Sequence, residues 1–106
     1  MADSAQLFFE GQPTQADTLL YTAGVTASIV RSIHATNTTG LSATLTLGLN
    51  AGGTLGTTTH WLSAFNVLPR DTYDWGGFAT IVASGTIRAL QGTTGALTVT
   101  ISGISQ

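Results

Sequence analysis

Residues 41–49 read Leu-Ser-Ala-Thr-Leu-Thr-Leu-Gly-Leu, apolar at every odd position and small or hydroxylated at every even one. Successive side chains of an extended chain point to opposite faces. A period of two therefore places Leu41, Ala43, Leu45, Leu47 and Leu49 on one side of a β-strand whose other side is polar. The segment is committed to a sheet with one face in a core. Its second face carries Ser and Thr where a free-standing soluble protein usually carries Lys and Glu, which predicts a surface that touches other protein.

The same habit organises the whole chain. Gly, Thr and Ser interrupt short apolar runs at intervals that suit an all-β sandwich or barrel. Strands are expected over 7–9, 19–22, 26–36, 41–50, 60–68, 71–75, 78–83, 86–90 and 96–104. In the third of these the odd positions Ala27, Ile29, Ile33 and Ala35 form an apolar face that Arg31 interrupts. Asn37-Thr38-Thr39-Gly40 supplies turn chemistry, so 26–50 is expected to be a hairpin. Residues 51–58, rich in Gly and Thr, read as a flexible loop. Pro69 stops the strand before it, because it has no N–H for a central ladder. Gly76-Gly77 breaks or bulges the next segment. In the last strand Leu97, Val99 and Ile101 face in, with Thr98, Thr100 and Ser102 facing out. Eight or nine strands in 106 residues make one all-β domain spanning 1–106, an antiparallel β-sandwich of jelly-roll type. An immunoglobulin-like sandwich is the alternative, without the Cys…Trp…Cys marker of true immunoglobulin domains. Residues 1–6 are expected to be a flexible N-terminal arm.

Composition narrows the function classes. Only 8% of residues are charged, against a usual share of about 25%, and lysine is absent. The cations are Arg31, Arg70 and Arg88, and the net charge is −2. That balance offers no electrostatic footprint for nucleic acid or an anionic membrane. No apolar run approaches the length of a membrane helix, and the N-terminus lacks a signal-peptide pattern, so synthesis in a cytoplasm is expected. There are no cysteines, hence no disulfide framework. Low charge with a mean hydropathy of +0.30 predicts a subunit that covers much of its own surface.

The chemistry-bearing residues do not assemble into a reaction centre. His34 and His60 with Asp71 or Asp74 could supply three metal ligands, but no spacing demands it, and no metal site or cofactor is expected. The Gly-x-Ser-x-Gly elbow of a serine hydrolase is absent, and the glycines of 51–58 lack the Lys of a phosphate-binding loop. The acidic stretch 71–76 lacks the ligand set of a calcium loop. A non-enzymatic role is expected, and the candidate residues are interface residues. Trp61, Tyr73 and Trp75, close to a glycine pair, could fill the core, anchor a protein interface or stack on a sugar. Arg31 and Arg88 interrupt weakly charged strands. Either could pair with Asp17, Asp71 or Asp74, inside the subunit or across an interface, or extend into solvent with its stem along the sheet.

Leu20-Tyr21-Thr22-Ala23, followed by Ile29-Val30-Arg31-Ser32-Ile33-His34-Ala35-Thr36-Asn37-Thr38-Thr39-Gly40, resembles small virion proteins of tailed bacteriophages. Leu68-Pro69, Asp71-Thr72, Gly85-Thr86-Ile87-Arg88-Ala89 and Leu97-Thr98-Val99-Thr100-Ile101-Ser102-Gly103 continue the likeness, which covers about residues 18–103. Residues 73–78, with Asp74-Trp75-Gly76-Gly77, depart from its usual aliphatic pattern. The resemblance implies a non-enzymatic β-sandwich subunit of the virion. The expectation drawn from it is a capsid decoration protein, a homotrimer whose partners are itself and a major capsid or tail protein. A tail accessory protein, or a carbohydrate-binding attachment module using Trp61, Tyr73 and Trp75, is the alternative.

Overall fold

The computed structural model describes residues 4–50, 60–93 and 95–105. Among them are eight strands and no helix: β1 (Ser4–Gly11), β2 (Thr18–Thr22), β3 (Ser28–Asn37), β4 (Ala43–Leu49), β5 (His60–Val67), β6 (Thr72–Ile81), β7 (Thr86–Gln91) and β8 (Leu97–Ser105). They form a front sheet ordered β1-β8-β3-β6 and a back sheet ordered β2-β7-β4-β5. All neighbouring pairs are antiparallel. The pairs β1·β8, β2·β7, β3·β6 and β4·β5 nest inside one another along the chain, as in one long hairpin. Rolling that hairpin brings β3 against β8 and β4 against β7 and divides it into two sheets, which is the jelly-roll arrangement.

The inner faces supply the core. Val30, Ile33, Leu45, Leu47, Ile81, Ile87, Leu97, Val99 and Ile101 are fully buried. Each such Leu or Ile contributes roughly 1.5–3 kcal/mol by leaving water. Two buried amides tie the loops to this core. The Asn37 side chain donates to the carbonyls of Leu41 (2.7 Å) and Val67 (3.0 Å) and accepts from Thr39. Gln91 donates to the carbonyls of Pro13 and Leu97 and accepts from the Leu97 N–H at 2.8 Å. A buried amide left unpaired would cost stability, so these turns have little freedom to rearrange.

Several local expectations are corrected. Residues 26–50 are not a hairpin: β3 lies in the front sheet and β4 in the back one. Turn chemistry is the same at a hairpin and at a corner between sheets, and Asn37 pulls this turn toward the end of β5. The polar side of β4 is only partly free, because Thr46 is buried and accepts the Ala64 N–H at 2.9 Å. The apolar face of β3 changes phase: Ser28 and Val30 are buried, then Ile33, Ala35 and Asn37. Segments 71–75 and 78–83 belong to one strand, β6, with a bulge where a break was one option. Residues 4–6, expected in a flexible arm, pair with Ser105, Ile104 and Gly103 of β8. Their backbone groups gain a ladder that their small and polar side chains do not advertise. Residues 1–3 and the glycine-rich loop expected at 51–58 lie outside the described residues.

One close approach fixes the packing of β8. A Cβ built on Gly103 would sit 1.9 Å from the Ile29 carbonyl oxygen and 2.9 Å from the Phe8 ring. The carbonyl belongs to backbone that the front-sheet ladder holds in place. Gly76 is the control, since its Cβ would meet only the Arg31 carbonyl at 3.9 Å. Gly103→Ala is expected to lower unfolding stability by about 2–3 kcal/mol or more, as overpacking does, while Gly76→Ala stays within about 1 kcal/mol of the parent. Urea unfolding of the two variants checks this.

Candidate functional site

Arg31 stands where β3 slips its register. On the β8 side Val30 faces Gly103 and Ser32 faces Ser102, which leaves Arg31 as an extra residue. On the β6 side Val30 faces Ala79 and Ser32 faces Gly76, so Arg31 opposes Gly77 and Phe78 together. A bulge of this kind re-aims a side chain out of the ladder. The Arg31 Nε donates to the Gly77 carbonyl at 2.9 Å. Its guanidinium carbon lies 4.2 Å from the centroid of the Phe78 ring, as in a cation–π contact. Phe78 is 71% exposed. Among the described residues no carboxylate forms an ion pair with Arg31.

A groove of about 470 Å³ runs beside Arg31 on the outer surface of the front sheet, between Leu7 of β1 and Ser102, Gly103 and Ile104 of β8. Leu7 is half-exposed there, because three apolar residues in a row (Leu7, Phe8 and Phe9) cannot all face inward. The groove thus combines an apolar wall with a cation whose Nη atoms have no hydrogen-bond partner among the described residues.

The aromatic candidates gather on one flank of the sandwich. Trp61 lies on β5, the edge of the back sheet, and Tyr73 and Trp75 on β6, the edge of the front sheet. Tyr73 and Trp75 face Ala35 and Ile33 across the ladder, on the inward side. Trp61 packs edge-to-face on Trp75 (centroids 4.7 Å apart) and on Tyr73 (6.4 Å), and Phe65 packs on Tyr73 at 4.9 Å. All three candidates are half-buried against the core. Their packing occupies ring surface that a stacked sugar would need. The opposite flank is closed by Phe8 stacked on Tyr21 at 4.4 Å. Burial raises the Tyr73 hydroxyl above the ordinary tyrosine value of 10.0. Beside the Trp61 cluster a second groove, of about 420 Å³, is lined by Phe65, Leu68 and Tyr73 together with Asp71 and Asp74.

The remaining candidates are placed as follows. Arg88 donates to Asp17 at 2.9 Å, a pair within the subunit and mostly buried. His34 and Asp74 face each other across β3 and β6 on the outer surface, 3.4 Å apart and exposed. The backbone of His60 pairs with Gly48 in the back sheet, and its side chain lies outside the described residues. No group of three or more metal-ligating side chains occurs among the described residues. Trp61, Tyr73 and Trp75 are therefore brought together, while Arg31 and Arg88 are not: Arg31 is on the outer front surface and Arg88 is tied to Asp17. Sequence reasoning missed Leu7, Phe65 and Phe78. The signal for Leu7 was present in the unbroken run 7–9, and for Phe78 in the glycine pair before it. Phe65 carried none, because its exposure depends on the bulge in β5. No known protein family, curated protein or solved structure matches the chain.

Two measurements check these placements. Trp75→Ala is expected to lower stability by about 2–3 kcal/mol, somewhat less than a fully buried aromatic would, whereas Phe78→Ala costs under about 1 kcal/mol. Denaturant unfolding followed by circular dichroism separates the two. Because the Tyr73 hydroxyl deprotonates in the unfolded chain before it does in the folded one, its contribution is complete below the ordinary value of 10.0 and is lost as pH rises through the raised folded value. Stability of the parent should fall in that alkaline window more steeply than that of Tyr73→Phe, measured by melting at a series of pH values.

Proposed function

We propose that the chain is a non-enzymatic structural subunit of a tailed-phage virion, a capsid decoration protein that works by packing against other protein, copies of itself included. The observation that carries this reading is the surface. Leu7, Leu19, Val25, Leu41, Phe65, Leu68, Phe78 and Val82 are exposed on a chain with three arginines and no lysine. Single exposed apolar residues are ordinary, but four of these lie in two places. Leu7 and Phe78 flank Arg31 on the front sheet, and Phe65 and Leu68 line the groove at the β5–β6 flank. Placement on a virion rests on the sequence resemblance over residues 18–103. The jelly roll is compatible with it and hosts many other roles.

Static light scattering and co-sedimentation with phage particles test the proposal. An oligomer, a trimer above all, that pellets with capsids is the expected result. A monodisperse monomer at tens of micromolar that ignores both capsids and tails overturns it.

A further inference from the structure

The geometry points to a head-to-tail contact between copies of this chain, in which the Arg31 groove of one subunit receives the Asp71–Asp74 flank of the next. This rests on the self-association in the proposed function and names the surfaces that would carry it. The first surface is the outer front sheet around Arg31, with the apolar side chains of Leu7, Ile104 and Phe78. Its guanidinium is oriented by the Gly77 carbonyl and the Phe78 ring, and it has no carboxylate partner among the described residues. The second surface carries Phe65, Leu68 and Tyr73 with Asp71 and Asp74. Among the described residues the Asp71 carboxylate accepts only the neighbouring Thr72 N–H, at 2.8 Å. Asp74 meets the exposed His34 at 3.4 Å, and its carboxylate is itself exposed and open to a cation. Each surface therefore offers what the other lacks: an apolar wall with a cation against an apolar wall with carboxylates.

Charge complementarity favours a copy of this chain as the occupant. An Arg fork binds a carboxylate through two parallel hydrogen bonds, which fixes orientation as well as adding energy. A two-fold contact made through one of these surfaces alone would bring its like charges together, Arg31 near Arg31 or Asp74 near Asp74, and like charges at an interface are costly. The two surfaces also lie on adjacent sides of the sandwich, one on a sheet face and one on its flank. A head-to-tail contact between adjacent sides turns at every step, and it forms a ring where that rotation closes and a helical filament where it does not. The expected homotrimer is one such ring.

Site-specific cross-linking and charge reversal test the contact. The chain has no cysteine, so Leu7→Cys and Leu68→Cys each introduce a single thiol into the full chain. A short bis-maleimide should join the two variants when they are mixed and leave each one alone uncoupled. The double variant should give a covalent ladder that ends at the size of the ring. Arg31→Glu should weaken self-association at least about ten-fold, as should Asp71→Arg combined with Asp74→Arg, and joining all three changes should restore it. Unchanged circular dichroism spectra and melts exclude unfolding as the cause. Coupling of Leu7→Cys to itself, or an oligomer indifferent to Arg31→Glu, overturns this contact while leaving self-association standing. A parent chain that is monomeric at every concentration tested overturns both.

Discussion

The register slip at Arg31 sets the geometry of the front sheet. β3 is a central strand, bonded to β8 on one side and β6 on the other. Before the slip its inward residues are Ser28 and Val30, and after it they are Ile33, Ala35 and Asn37. Because Arg31 is one residue too many for strict alternation, one of these two sets would point to solvent if the strand did not slip, since a shift of one position exchanges its faces. The slip also delivers Asn37 to the interior, where it holds the corner between the two sheets through Leu41 and Val67. The same residue that corrects the phase of the core is thereby thrown outward as a cation. Core packing and the candidate contact surface have a common origin in one bulge.

The edges of both sheets follow a related logic. A free edge invites open-ended strand pairing, and lysines commonly discourage it. This chain has none. Instead each of the four edge strands carries an irregularity: Phe8 is extra on β1, Leu20 on β2, Trp61 on β5 and one residue of the Gly77–Phe78 pair on β6. Bulges twist an edge away from a would-be partner strand. Phe8 and Trp61 serve twice, since these extra residues also join the aromatic contacts that close the two flanks. With the edges interrupted in this way, association through faces and side chains is favoured over strand addition.

What the sequence made legible was the set of strands whose alternation is unbroken. β4 and β8 could be read almost residue by residue, as Leu45, Leu47, Leu97, Val99 and Ile101 are all buried. The jelly-roll class followed from strand number and spacing. The partnering of strands was less legible, because a turn such as 37–40 has the same composition whether it joins neighbours in one sheet or crosses to the other. Bulges were the main source of error. They change the period within a strand, so the interruption at Arg31 looked like a blemish on one apolar face when it marked the exchange of two. The interface candidates divided accordingly. Trp61, Tyr73 and Trp75 share a site because their spacing along two edge strands suits the flank. Arg88 turned inward to Asp17, a pairing across 71 residues that no local pattern signals.

The hydroxyl-rich faces acquire a narrower meaning from the structure. Ser32 bonds Ser102 at 2.7 Å and Thr36 bonds Thr72 at 3.2 Å, so part of the outward hydroxyl surface is already satisfied within the front sheet. Covering such a surface with another protein costs less than burying lysines or glutamates, whose charges would need partners. A hydroxyl sheet can therefore be packed against, but it does not discriminate between registers. Discrimination has to come from the few groups that demand a specific partner. Arg88 is spent on Asp17, whereas Arg31 is oriented by the Gly77 carbonyl and the Phe78 ring, flanked by apolar side chains, and unpaired by any described carboxylate. In a surface this poor in charge, one oriented guanidinium has few competitors and sets which register a neighbouring surface can adopt.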